Sequence, residues 1–169
     1  RLIGDPACAN KTTMKALMRA KRDVALLPGG FEEATISCEH VDRVFLKRRS
    51  GFLKYCLEYG VDVVPVVAFG ESRLYWQLQG GFGFRLWLNS WKIPGIVFFG
   101  HPLLPISPRV RPLHVVCGEP LALEQTSNPT RAQVKDAHDR YCACLQALYD
   151  RHKTRFYGDA AKDAALEVW

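Results

Sequence analysis

The chain has 169 residues, of which 48% are apolar, 24% charged and 11% aromatic. That suffices for one domain with a sizeable core and excludes a disordered or collagen-like chain. The net charge of +6 favours an anionic partner, whether nucleic acid, a membrane surface or a phosphate-bearing ligand, and does not choose among them.

No apolar stretch approaches the roughly 20 residues needed to cross a bilayer. The first residues carry neither a charged nor an apolar signal region, so no secretory leader is expected in the chain shown. Its six cysteines contain no C-x-x-C pair. They read as reduced thiols of a cytosol-facing protein.

Residues 10–22 place Met14, Leu17, Met18 and Lys21 on one stripe, which predicts a short amphipathic helix. The run "VALL" (24–27) predicts a buried strand that ends at Pro28-Gly29-Gly30, followed at once by Glu32 and Glu33. "VFL" (44–46) predicts another brief strand before the cations Lys47, Arg48 and Arg49. Ser50 then caps a helix over "GFLKYCLEY", which Gly60 ends in the left-handed conformation.

"VDVVPVVAFGE" (61–71) is the apolar run of a strand covered on both faces, with pairing that starts or bends at Pro65. "ESRLYWQLQ" reads as helical. "GGFGFRLWLNSWKIPG" shows no clean period and reads as a mobile loop or a lipid-facing surface. "IVFF" (96–99) and "HVVC" (114–117) are strand-like, on either side of a stretch rich in proline. The final helix carries Val134, Ala137, Tyr141, Leu145 and Leu148 at helical spacing, and Thr130 with Gln133 forms a capping box. Helix and strand in alternation predict an α/β domain.

Among His40, His101, His114, His138 and His152, no two stand four apart, so no metal site is expected. His114 and Glu119 have an acid–base spacing, but an offset of five puts them on opposite faces of a strand. His138 reads as a packing or surface residue. "GGFGF" (80–84) lacks the spacing of a dinucleotide loop and the lysine of a phosphate loop. "LKRRSGFLK" (46–54) sets cations before a helix start, which suits phosphate as well as a plain solvated basic face.

Several blocks in order carry a resemblance. Gly29-Gly30-x-x-Glu33, Arg49-x-Gly51-Phe52-x-Lys54, and Val64-Pro65-Val66 with Phe69-Gly70-Glu71 resemble GGxxE, RKGFxK and VPVxxFGE of the diacylglycerol acyltransferase type 2 family. "RPLHVVCGEPL" (111–121), His138 with Tyr141, and "RHKTRFYG…LEV" continue the likeness over nearly the whole chain. Two departures stand out. The family's HPHG block does not occur here, and Gly100-His101-Pro102 stands where the family commonly has G-R-G. Whether His101 takes over that arginine's work is left open.

The resemblance implies an α/β fold with a mostly parallel sheet and flanking helices, like that of glycerolipid acyltransferases and incomplete at the N-terminus. Residues 1–169 would be a single domain, the C-terminal part of a catalytic domain. The implied activity is transfer of a fatty acyl group from acyl-CoA to diacylglycerol, giving triacylglycerol at the cytosolic face of the endoplasmic reticulum membrane. Acyl-CoA is the substrate, and no cofactor or metal is required. The fragment alone is expected to be inactive, because the catalytic histidine would lie upstream of Arg1.

Glu33 then has a supporting role, orienting a histidine or an arginine near the site, and Gly29 and Gly30 let the backbone approach the reacting groups. Arg49, Lys54 and Glu71 belong to substrate binding, and Glu32 reads as a solvated neighbour. Monoacylglycerol or wax-alcohol acceptors are the alternative within the family. A glycerophospholipid acyltransferase ranks lower, because its E-G-T-R block is replaced here. A basic nucleic-acid-binding module is the reading from another class, although nucleic acid is not the expected partner.

Overall fold

The computed structural model describes residues 7–8, 10–39, 41–91, 93 and 95–169. Helix α1 (Lys11–Arg19) starts at Asn10, whose side-chain oxygen accepts the Thr13 N–H at 2.9 Å. Its buried Met18 joins Leu53, Cys56 and Leu57 of helix α3 (Gly51–Tyr59) in one core, and Lys15 ties the two helices through Glu58 at 2.9 Å. Gly60 ends α3 at φ 60°, as its position requires. Ser50 makes no side-chain cap; its carbonyl accepts Leu53 N–H instead.

The organising element is helix α5 (Arg131–Tyr157). Its capping box forms as expected, with Thr130 and Gln133 each bonding the other's backbone. Ala137, Tyr141, Leu145, Leu148 and Tyr149 are buried along one side. Against it lies strand β2 (Val66–Phe69), which pairs antiparallel with β5 (His114–Cys117). The regular ladder begins just after Pro65, which has no N–H to give, while Val63 before it already bridges Leu121. Phe69 is wholly buried and stacks on Tyr149 with ring centroids 5.3 Å apart.

Several expectations need correction. Residues 24–27 are not a strand, and Leu27 is exposed; a short apolar run becomes strand only when a neighbour supplies its hydrogen bonds. The paired strand is β1 (Asp42–Val44), which runs parallel to β6 (Leu166–Val168). The stretch 71–79 gives one 3₁₀ turn, Glu71–Arg73, and then strand β3 (Trp76–Gln77), antiparallel to β4 (Phe98–Phe99). Among the described residues, then, strands form three two-stranded ladders, only one of them parallel. The architecture is mixed α/β with small sheets rather than a mostly parallel sheet.

Helix α2 (Gly30–Ile36) begins inside the Pro-Gly-Gly turn, with Gly30 at φ 60°. Helix α4 (Phe82–Ser90) occupies the segment that had no clean period. Its one buried residue is Arg85, while Phe84 and Trp87 are exposed, so no apolar stripe marks the inward face.

Candidate active site

The opening of α2 places Glu33 over its own N-terminal turn. Its Oε2 accepts the backbone N–H of Phe45 at 3.0 Å, which fixes the carboxylate against the end of β1. A Cβ on Gly29 would lie 2.2 Å from that oxygen. Gly29 therefore makes room for Glu33, where the sequence suggested room for a substrate. Burial raises the Glu33 pKa; the Phe45 N–H opposes this, and the charge of Glu71 adds to it.

Glu71 opens the 3₁₀ turn after β2. Its pKa is likewise raised, first by burial and then by the charge of Asp42. Asp42 is the most heavily bonded acid of the group. Its Oδ1 accepts Ser72 Oγ–H at 2.8 Å, and its Oδ2 accepts the Tyr149 and Tyr157 hydroxyls at 2.8 and 2.7 Å. Tyr157 in turn accepts the Gly70 N–H at 3.0 Å. Both phenols are held well above their ordinary pKa, first by burial and then by the bond to Asp42. Glu33, Glu71 and Asp42 thus stand in a chain of mutual charge influence, Glu71 acting on Glu33 and Asp42 on Glu71. Such a group disfavours further negative charge and suits a cation or a proton donor.

Arg49 pairs with Glu32, and its guanidinium lies 5.6 Å from the centroid of the Phe45 ring. Glu32 is therefore the arginine's partner and not a solvated neighbour, while Glu33 is anchored one step away through Phe45. Glu33 packs over Gly29 and feels the charge of Glu71, while Glu32, beside Gly30, links the turn to Arg49. Lys54 does not join them: it lies 3.9 Å from Glu58, the residue that also holds Lys15.

The histidines carry structural bonds. His138 Nε2 lies 2.9 Å from the Leu46 carbonyl, consistent with a packing role. His114 stacks on Phe156 at 4.6 Å, and His101 Nδ1 accepts the Leu103 N–H within its own turn. His40 lies outside the described residues. Among the described residues no three His, Cys, Asp or Glu side chains are arranged to hold a metal ion, and no helix is long and apolar enough to cross a membrane.

Sequence reasoning missed Asp42 and its two tyrosines. Their one visible signal is an acid at the start of a short strand, together with tyrosines two turns apart on the last helix.

The chain belongs to the diacylglycerol acyltransferase family, whose pattern matches residues 2–168. It is 36% identical to acyl-CoA wax alcohol acyltransferase 2 of Homo sapiens over 146 residues, covering 79% of this chain and 43% of that protein. It is 32% identical to 2-acylglycerol O-acyltransferase 1 of Bos taurus, covering 76% of this chain and 41% of that protein. To diacylglycerol O-acyltransferase 2 of Homo sapiens it is 31% identical, covering 79% and 37%. The chain thus spans well under half the length of these relatives. No solved structure matches it.

Proposed function

We propose that these residues are part of an acyl-CoA-dependent O-acyltransferase that moves a fatty acyl group onto diacylglycerol. The acceptor oxygen attacks the thioester carbonyl, a histidine takes its proton, and the carbon–sulfur bond breaks as CoA leaves. That histidine would come from chain outside these 169 residues, as would strands that complete a larger parallel sheet around β1 and β6. The relatives' much greater length supports both points. No metal or redox cofactor is asked for by this chemistry.

The observation that carries the reading is the fixed position of Glu33, locked by Phe45 N–H beside Glu71 and Asp42. A carboxylate so placed favours the imidazolium that forms when the alcohol loses its proton. Glu33 is then a positioning residue. Arg49, Gly30 and Glu71 would contribute to substrate binding beside Glu33, and Lys54 would act at a separate point. The exposed Phe84, Trp87, Trp91, Leu103, Leu104 and Ile106 support contact with the cytosolic face of the endoplasmic reticulum membrane.

A wax-alcohol acceptor is the second reading, favoured by the 36% identity to the wax alcohol enzyme. The nucleic-acid module gains nothing from relatives whose names are all those of lipid acyltransferases.

The test is the complete enzyme with labelled acyl-CoA, offered diacylglycerol, monoacylglycerol and hexadecanol in competition. Glu33→Gln should lower acylation by about 10–100-fold and change the pH profile, with the protein still folded. An unchanged rate and profile would remove Glu33 from the mechanism. Preference for hexadecanol would replace the acceptor proposed here.

A further inference from the structure

The ladder of β2 and β5 has two unlike faces. Its register sets Val66 opposite Cys117, Val67 opposite Val116, Ala68 opposite Val115 and Phe69 opposite His114. Side chains alternate across a strand, so Val67, Phe69, Val116 and His114 share one face, and Val66, Ala68, Val115 and Cys117 share the other. The first face meets α5 and its core: Phe69 lies on Tyr149, His114 on Phe156, and Val67 is buried. The second face is open among the described residues. Val66 is 48% exposed and Val115 63%, and Cys117 is exposed as well.

This open face carries no charged and no aromatic side chain. Apolar residues on both faces of a strand are the pattern of a sheet packed on two sides, and α5 covers only one of them. A bilayer is a poor match for the other. Membrane interfaces draw tryptophan and tyrosine, and in this protein such rings gather elsewhere, with Trp76 beside Phe99 and Trp87 beside Trp91. A second copy of the chain is a poor match too. Four residues on each of two strands span about 13 by 10 Å, on the order of 150 Å², far below the roughly 800 Å² per partner of a stable complex.

The same dimensions suit one helix. A helix with its side chains is about 10 Å across, and 13 Å is between two and three of its turns. The matched relatives supply the chain for it, since these residues cover only 43%, 41% and 37% of their lengths.

We propose that a single helix from the remainder of the same polypeptide packs an apolar stripe across Val66, Ala68, Val115 and Cys117. Ala68 is the smallest of the four and leaves a hollow beside the valines, which a large aliphatic residue of that helix would fill. The inference rests on the proposed function in one respect, that these residues are part of a longer protein, and not on its acyl-transfer chemistry.

The complete protein in detergent micelles tests it by two routes. In the unaltered protein, N-ethylmaleimide should modify Cys117 about tenfold or more slowly in the native state than in urea. In Val115→p-benzoylphenylalanine, illumination should give an adduct within one chain, mapped by mass spectrometry to a helical segment outside residues 1–169. The bulky ring can disturb packing, so the thiol measurement on the unaltered protein stands as an independent readout. Cys117 reacting as fast in the native state as in urea would overturn the proposal. So would adducts to a second copy, to lipid or detergent, or to residues within 1–169. Transfer from labelled acyl-CoA is measured separately: its absence beside a retained adduct would count against the acyl-transfer reading alone.

Discussion

The Oε2 of Glu33 lies 2.2 Å from the point where Gly29 would carry a Cβ, and the Glu33 Cβ lies 2.5 Å from it. Gly29 has ordinary right-handed helical dihedrals, φ −68° and ψ −37°, so its backbone would accept alanine without strain. The steric demand comes from Glu33 alone, and this pairing separates the two glycines of the turn. Gly30 is needed for its φ of 60°, Gly29 for the carboxylate folded over it.

Gly29→Ala should therefore expel Glu33 and break its bond to Phe45 N–H, with a loss of about 1–3 kcal/mol. Gly51 is the control, because a Cβ there meets nothing within 4 Å and it begins α3. Gly51→Ala should be neutral or stabilising by up to about 1 kcal/mol. Urea unfolding of both variants, with amide exchange at Phe45, checks the contrast. Equal effects from the two substitutions would show that Glu33 is not what Gly29 accommodates.

Elements whose signals are local were legible in the sequence. The capping box of α5, the left-handed Gly60 and the limits of β5 need only neighbouring residues, and the structure holds all three. Sheet organisation was not legible, because pairing is decided by partners far along the chain: β1 needs β6, more than a hundred residues away. α4 was hidden for another reason. A helix that buries arginine and exposes tryptophan carries the wrong polarity for a periodicity argument.

The site was half visible. GGxxE marked the turn and the acid, but Asp42 meets Tyr149 and Tyr157 across 107 and 115 residues, a distance no local motif spans.

That long-range node should be costly to break. Asp42→Asn keeps the shape but removes the charged acceptor for three hydroxyls, so a loss of about 2–4 kcal/mol is expected. Tyr149→Phe deletes one bond while preserving the stack on Phe69, and should cost about 1–2 kcal/mol. The double variant should lose less than the sum, because both changes disrupt one network. Additivity within experimental error would mean that Asp42 and Tyr149 act independently.

Arg43 joins the two strands of the parallel ladder. Its Nε donates to Glu167 at 2.7 Å and its Nη1 to Ile36 O at 3.1 Å, and the guanidinium lies near the Phe82 and Trp169 rings, 5.3 and 5.4 Å from their centroids. Lysine retains the charge but not the planar fork or the stacking. Arg43→Lys should destabilise by about 1–2 kcal/mol and speed hydrogen exchange in β6 before the rest of the protein. Uniform exchange throughout would argue against a local role.

The raised pKa values of Glu33 and Glu71 give stability a pH dependence of definite sign. Each folded carboxyl holds its proton more tightly than the unfolded chain does. Their favourable contribution is complete below the unfolded pKa, near 4.3 for a glutamate, and is lost as pH rises through the folded values. Acidification from about pH 7 to pH 4 should thus favour the wild type over a Glu33→Gln/Glu71→Gln variant, which cannot titrate there. The comparison cancels changes at the other carboxylates, including the lowered Glu167 beside Arg43, which pulls the opposite way. Urea midpoints of the two proteins across that range provide the measurement. A gap that stays constant, or widens against the wild type on acidification, would mean that neither acid is held above its ordinary range.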